Sequence, residues 1–191
     1  MSLFEFILVM VSLILAISVT RLLQGIAEII RYRESLELDW VPLVWAGNLF
    51  MLVTAHWWSL WDLRGVAWTF PGFFFILLPP TLLYIAVSLL VSGDLTQFNG
   101  KMVTKFERIR VPFMGVMLTL YLLMSFDGWV LGTEPIWNSL RLVQVGVIGS
   151  AFVGMVSSSR SVQMIVAAFA LAVMLFLGFV LRFLPGAFGP T

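Results

Sequence analysis

The sequence predicts an all-α protein: a polytopic transmembrane helical bundle of six spans, with both termini outside. Two observations predict it, the bulk apolarity and the spacing of the apolar runs. Of 191 residues, 61% are hydrophobic and 11% charged, and the mean hydropathy is +1.04. Soluble domains run at about 45–50% apolar and about 25% charged. One soluble core of this length cannot hide so much apolar surface, whereas a bilayer accepts it.

Runs of about 20 apolar residues, bounded by charges or turn residues, mark the spans. The first covers residues 3–23, and its helical pattern continues through Gly25, Glu28 and Arg31. It lacks the basic leader and small-x-small site of a cleavable signal, so it is read as a retained span. The second covers 40–61 and stops at Asp62 and Arg64-Gly65. The third covers 72–91, ending at Ser92-Gly93-Asp94. Pro112 sits at the first turn of the fourth, 111–131, where proline is tolerated. The fifth and sixth, 140–156 and 162–184, flank the turn Ser157-Ser158-Ser159-Arg160-Ser161. Together they form one transmembrane domain.

Lys and Arg set the orientation, because cytoplasmic loops carry the excess. Eight of the eleven basic residues fall at one end: Arg21, Arg31, Arg33, Lys101, Lys105, Arg108, Arg110 and Arg160. Only Arg64, Arg141 and Arg182 fall at the other. The termini are therefore expected outside, which in a bacterium is the periplasm. Trp57, Trp58, Trp61, Trp68, Trp129 and Trp137 then form an outer aromatic belt, with Trp40 and Trp45 marking the inner end of span two. Residues 95–108 put Leu95, Phe98, Met102 and Phe106 near one face and Lys101, Lys105 and Arg108 elsewhere, a pattern for a helix lying on anionic lipid or for a solvated loop.

Phe4-Glu5-Phe6, Val19-Thr20-Arg21-Leu22-Leu23-Gln24-Gly25, Trp57-Trp58-Ser59-Leu60-Trp61 and Trp68-Thr69-Phe70 resemble a group of small bacterial inner-membrane proteins of unassigned function. The resemblance covers roughly the N-terminal half. It implies a bacterial inner-membrane location, and no activity, ligand or site.

Composition narrows the chemistry. The net charge of +1 gives no basic face for nucleic acid, and the absence of cysteine removes disulfides and thiolate ligands. One histidine, His56, cannot form a two-histidine metal site. No arginine ladder, Walker motif, HExxH or GxSxG occurs. No catalytic residue, metal or cofactor is expected.

Several groups could carry function. Asn48, Ala55, Ser59 and Asp62 share a helix face on span two, with His56 on a neighbouring one. Glu5, Asp127 and Arg141 lie near the same outer end, so a pocket of Glu5, His56, Asp62, Asp127 and Arg141 is geometrically possible. Ionisable groups at membrane depth are costly and often functional, though headgroup pairing explains most of these equally well. His56 suits haem or pigment ligation, or a structural hydrogen bond beside Trp57. Pro79 and Pro80 in span three remove two helix hydrogen bonds, freeing the carbonyls of Phe75 and Ile76, with Thr81, Tyr84 and Ser88 as hydroxyl partners. Such a break marks a substrate site in many transporters, and a packing kink in others. Thr20, Arg21, Gln24, Glu28 and Arg31 form a stripe on helix one, an interfacial extension or a cytoplasmic docking surface. Gly146, Ser150 and Gly154 repeat at the spacing of close helix packing, within the chain or between copies.

These features suit a small channel or transporter for an ion or small molecule. They also suit a non-transporting accessory or scaffold protein binding lipid or another membrane protein, and, more thinly, a haem or pigment protein using His56. The expected partners are membrane lipids, a second copy of the chain or another membrane protein.

Overall fold

The computed structural model describes residues 2–91, 101–131 and 141–181. Six α-helices follow one another: α1 Leu3–Arg31, α2 Trp40–Ser59, α3 Phe70–Val91, α4 Met102–Val130, α5 Arg141–Val156 and α6 Arg160–Leu175. A 3₁₀ turn, Leu60–Gly65, follows α2, and a π-helical segment, Phe176–Leu181, extends α6. No strand occurs among the described residues. Among the described residues, four helical stretches are long and apolar enough to cross a membrane: Leu3–Arg31, Phe70–Val91, Met102–Asp127 and Arg160–Phe179. The protein is thus a multi-pass helical membrane protein. Helix α5, with 16 residues, spans about 24 Å, short of a hydrocarbon core of about 30 Å. Helix α2 has the length, with 20 residues, but is not among these four.

The helices neighbour one another in a closed ring, α1–α3–α4–α5–α6–α2, with α2 also against α3. The outward faces carry Leu13, Ile17, Phe70, Leu142 and Ile165, each more than half exposed. Apolar surface of this extent belongs against lipid. The inward faces meet in one core. Trp45, Leu49 and Leu52 of α2, Leu83 and Val87 of α3, and Phe113, Met117 and Leu120 of α4 are all essentially inaccessible.

Local chemistry fixes the helix ends. Ser2 and Glu5 form a capping box at the start of α1: the Glu5 N–H donates to Ser2 Oγ (3.2 Å) and the Ser2 N–H to Glu5 Oε2 (2.7 Å). Asp39 caps α2, accepting from the Val41 N–H at 3.0 Å. Gly25 lets α1 approach α3 closely, since a Cβ there would lie 2.4 Å from Val91 Cγ1.

Three expectations change. Pro79 and Pro80 do not break α3, which runs unbroken from Phe70 to Val91 with both prolines buried. Packing on neighbouring helices keeps the helix continuous through the lost hydrogen bonds. Thr81 spends its hydroxyl on the Leu77 carbonyl (2.7 Å), not on those of Phe75 or Ile76. Trp45 is not an interface marker. It is fully buried, edge-on to Phe113 with ring centroids 5.2 Å apart. Finally, residues 102–108 are not a separate interfacial helix but the first turns of α4, with Met102, Lys105 and Phe106 buried against the bundle. Residues 95–100, Trp137, Leu140 and 182–184 lie outside the described residues.

Candidate functional site at the charged end

The loops 32–39 and 157–159 and the start of α4 lie at one end of the bundle, with Trp57, Trp61 and Trp129 at the other. The charged end is held by long-range polar contacts. Asp39, its side chain fully buried, pairs with Arg160 and so ties the start of α2 to the start of α6. Lys101 pairs with Glu37 at 3.4 Å, and the Met102 N–H donates to the Glu37 carbonyl. Arg110 Nη1 donates to the carbonyls of Gly154 (3.1 Å), Met155 (2.6 Å) and Ser157 (2.8 Å). Gln163 Nε2 donates to Gly154 and Ser157 at 2.7 and 2.6 Å. Open carbonyls at the end of α5 are thus satisfied by a guanidinium, where the helix dipole favours a cation.

A cavity of about 40 Å³ opens beside these contacts, between the end of α1, the start of α2, the end of α3 and the start of α4. Its wall is mostly apolar, with Leu22, Leu43 and Phe106 among its residues, and among the described residues Glu28 and Lys105 bring its two charges. Lys105 is 7% exposed and donates to the Val91 carbonyl at 3.2 Å. Glu28 is exposed and acts electrostatically on Lys105. The rest of the helix-one stripe is exposed: Thr20 bonds the Ala16 carbonyl, Gln24 and Arg31 face outward, and the Arg21 guanidinium lies 5.3 Å from the Tyr84 ring centre.

A second polar set lies inside the bundle. Asn48 and His56 are both buried on α2, and Tyr121 is buried on α4. The Asn48 carboxamide and Tyr121 hydroxyl are close enough to interact. Neither makes a hydrogen bond of normal geometry to a described residue, nor do Trp45 Nε1 and Ser88 Oγ. Such buried groups are uncommon in native cores. Ser59 donates to the His56 carbonyl at 2.7 Å, at the turn into the 3₁₀ segment.

The five outer residues considered for a pocket have these positions and contacts. Glu5 is engaged in the capping box, Asp62 is exposed in the 3₁₀ turn, and Arg141 donates to the Ser125 carbonyl and to Gln144 Oε1. Asp127 lies two residues beyond Ser125 on α4, half-buried. The cavity at that end, about 220 Å³, is lined by residues 66–69, Gly72 and 129–131 and includes none of the five. On α5, Gly146 faces Phe169 of α6, Gly154 is wedged between Met114 of α4 and Val166 of α6, and Ser150 bonds the Val147 carbonyl.

Sequence reasoning missed Arg110, Gln163, Asp39 and Tyr121. A faint signal existed for one: a cation at the start of span four falls at the same membrane level as the serine-rich turn after span five. Comparison of the chain with protein-family models, curated proteins and solved structures finds no match.

Proposed function

We propose that this chain is a six-span bacterial inner-membrane protein, termini periplasmic, that acts as a non-transporting accessory protein through its cytoplasmic, charged end. The observation that carries this reading is where space and charge lie. The mid-height of the bundle is filled by Leu49, Leu52, Leu83, Met117 and Leu120, none more than 1% exposed. The cavity with charged walls lies instead at the end where α1 extends beyond its apolar run. A translocation path needs polar groups and water across the midplane. A surface that holds a lipid or another membrane protein needs neither.

The channel or transporter reading keeps one supporting observation, the unsatisfied Asn48, Tyr121, Trp45 and Ser88 groups in the core. The test is ion flux in proteoliposomes. Vesicles containing the protein and a trapped pH dye are given an outward potassium gradient, with and without a protonophore. The accessory reading predicts potassium and proton leak equal to protein-free vesicles. Leak that rises with protein content and falls on Asn48→Leu would overturn it.

A further inference from the structure

Charges at this end of the bundle mostly close on each other directly. Asp39 meets Arg160, and Glu37 meets Lys101. Glu28 and Lys105 do not. They line the same cavity, and their charges act on each other, yet no ion pair joins them. Among the described residues, Glu28 has no hydrogen-bond partner for its carboxylate, and the Lys105 ammonium, with three donors, uses one on Val91. Lys105 is more than nine-tenths buried. A buried ammonium with donors that no described residue takes up, on the same cavity wall as a carboxylate, is expensive unless something pairs with it.

The gap has a definite chemistry. A cavity of about 40 Å³ holds roughly three water-sized groups. That admits the phosphate beside Lys105, leaves an aminoethyl group at the open side where Glu28 is exposed, and excludes a whole lipid. Its mouth is flanked by Ile26, 39% exposed, and the neighbouring face of α1 carries exposed Leu23 and Ile30. Apolar surface beside the mouth suits acyl chains. An anion alone would gain Lys105 but meet Glu28; a cation alone would meet the reverse. A group carrying both charges satisfies both walls.

We propose that this cavity binds the headgroup of a zwitterionic phospholipid with a primary ammonium, of the phosphatidylethanolamine kind. The phosphate takes the remaining donors of Lys105, the ammonium donates to Glu28, and the acyl chains lie along Leu23 and Ile26, toward the bilayer. A quaternary ammonium cannot donate a hydrogen bond to Glu28, so phosphatidylcholine binds less well. Phosphatidylglycerol offers the phosphate without the cation and is weakened by Glu28. This deepens the accessory reading by naming a ligand for its charged end. It is tested separately from ion flux, so either can fail alone.

The test is native mass spectrometry of the full chain, released from micelles containing equal amounts of phosphatidylethanolamine, phosphatidylglycerol and phosphatidylcholine with identical chains. The wild type is expected to retain one phosphatidylethanolamine in preference to the others. Glu28→Gln and Lys105→Met should each lower that retention about tenfold, the worth of one charge-assisted hydrogen bond, while Lys105→Arg keeps it. Glu28 is exposed, so its variant reports on the site even if Lys105→Met fails to fold. Equal retention of the three lipids, preference for phosphatidylglycerol, full retention by Glu28→Gln, or a wild type that holds no lipid would each overturn the proposal.

Discussion

At Gly25 the backbone of α1 comes so near α3 that a methyl group would overlap Val91, 2.4 Å from Cγ1 and 2.9 Å from Cγ2. Valine is stiff at χ1, so it cannot swing away cheaply. Gly25→Ala is therefore expected to lower stability by about 1–3 kcal/mol, the usual cost of overpacking a filled core, despite alanine's better helix propensity. Equilibrium unfolding in mixed micelles measures this, and a midpoint at or above wild type would show that the two helices are less tightly apposed. Gly25 stood in the sequence within the helical pattern that continues helix one, but nothing local says what a glycine on a helix faces. The same holds for Asn48 and His56. Their membrane depth was legible from their place in span two, and both are buried. That Asn48 faces Tyr121, 73 positions along the chain, depends on how α2 and α4 pack, and no helical periodicity encodes that.

At the scale of elements, the links between helix ends matter most. Arg110 reaches from α4 to three carbonyls at the end of α5. Removing it strands acceptors in a poorly hydrated place. Arg110→Met is expected to cost about 2–3 kcal/mol, as for hydrogen bonds to a charged group. Arg110→Lys should fall between, because an ammonium lacks the planar fork that serves several carbonyls at once. Unfolding monitored by tryptophan fluorescence checks both, and an unchanged midpoint for Arg110→Met would contradict the account. Element existence was the most legible layer: each of the six apolar runs contains a helix. Boundaries were less so, for physical reasons. Apolarity marks where lipid begins, not where hydrogen bonding ends. Hence α4 starts at Met102, well before its apolar stretch, whereas the run of α1 on to Arg31 was legible in its helical pattern. The two prolines of α3 were read as a break because proline removes hydrogen bonds; the bundle packed around them holds the helix together.

At the scale of the molecule, the helices close a ring around a filled core, with lipid-facing apolar surface outside. The charged groups gather at one end. Loops at that end carry most of the lysine and arginine, and the proposed cytoplasmic placement rests on that excess. The candidate site follows from this asymmetry, because Glu28, Lys105 and the cavity between them belong to the charged end alone. If α2 and α5 did not cross, the loops on either side of α2 would lie on one side of the membrane, and the site would lose its cytoplasmic address.

The absence of native cysteine makes the decisive measurement direct. Single cysteines replace Ser35, Asp62 and Ser158, all exposed at helix connections, and intact bacterial cells are treated with a membrane-impermeant maleimide. The six-span account predicts that Asp62→Cys is labelled in intact cells, while Ser35→Cys and Ser158→Cys react only after the membrane is opened. Labelling of Ser35→Cys in intact cells, or the same accessibility for Ser35→Cys and Asp62→Cys, would contradict it.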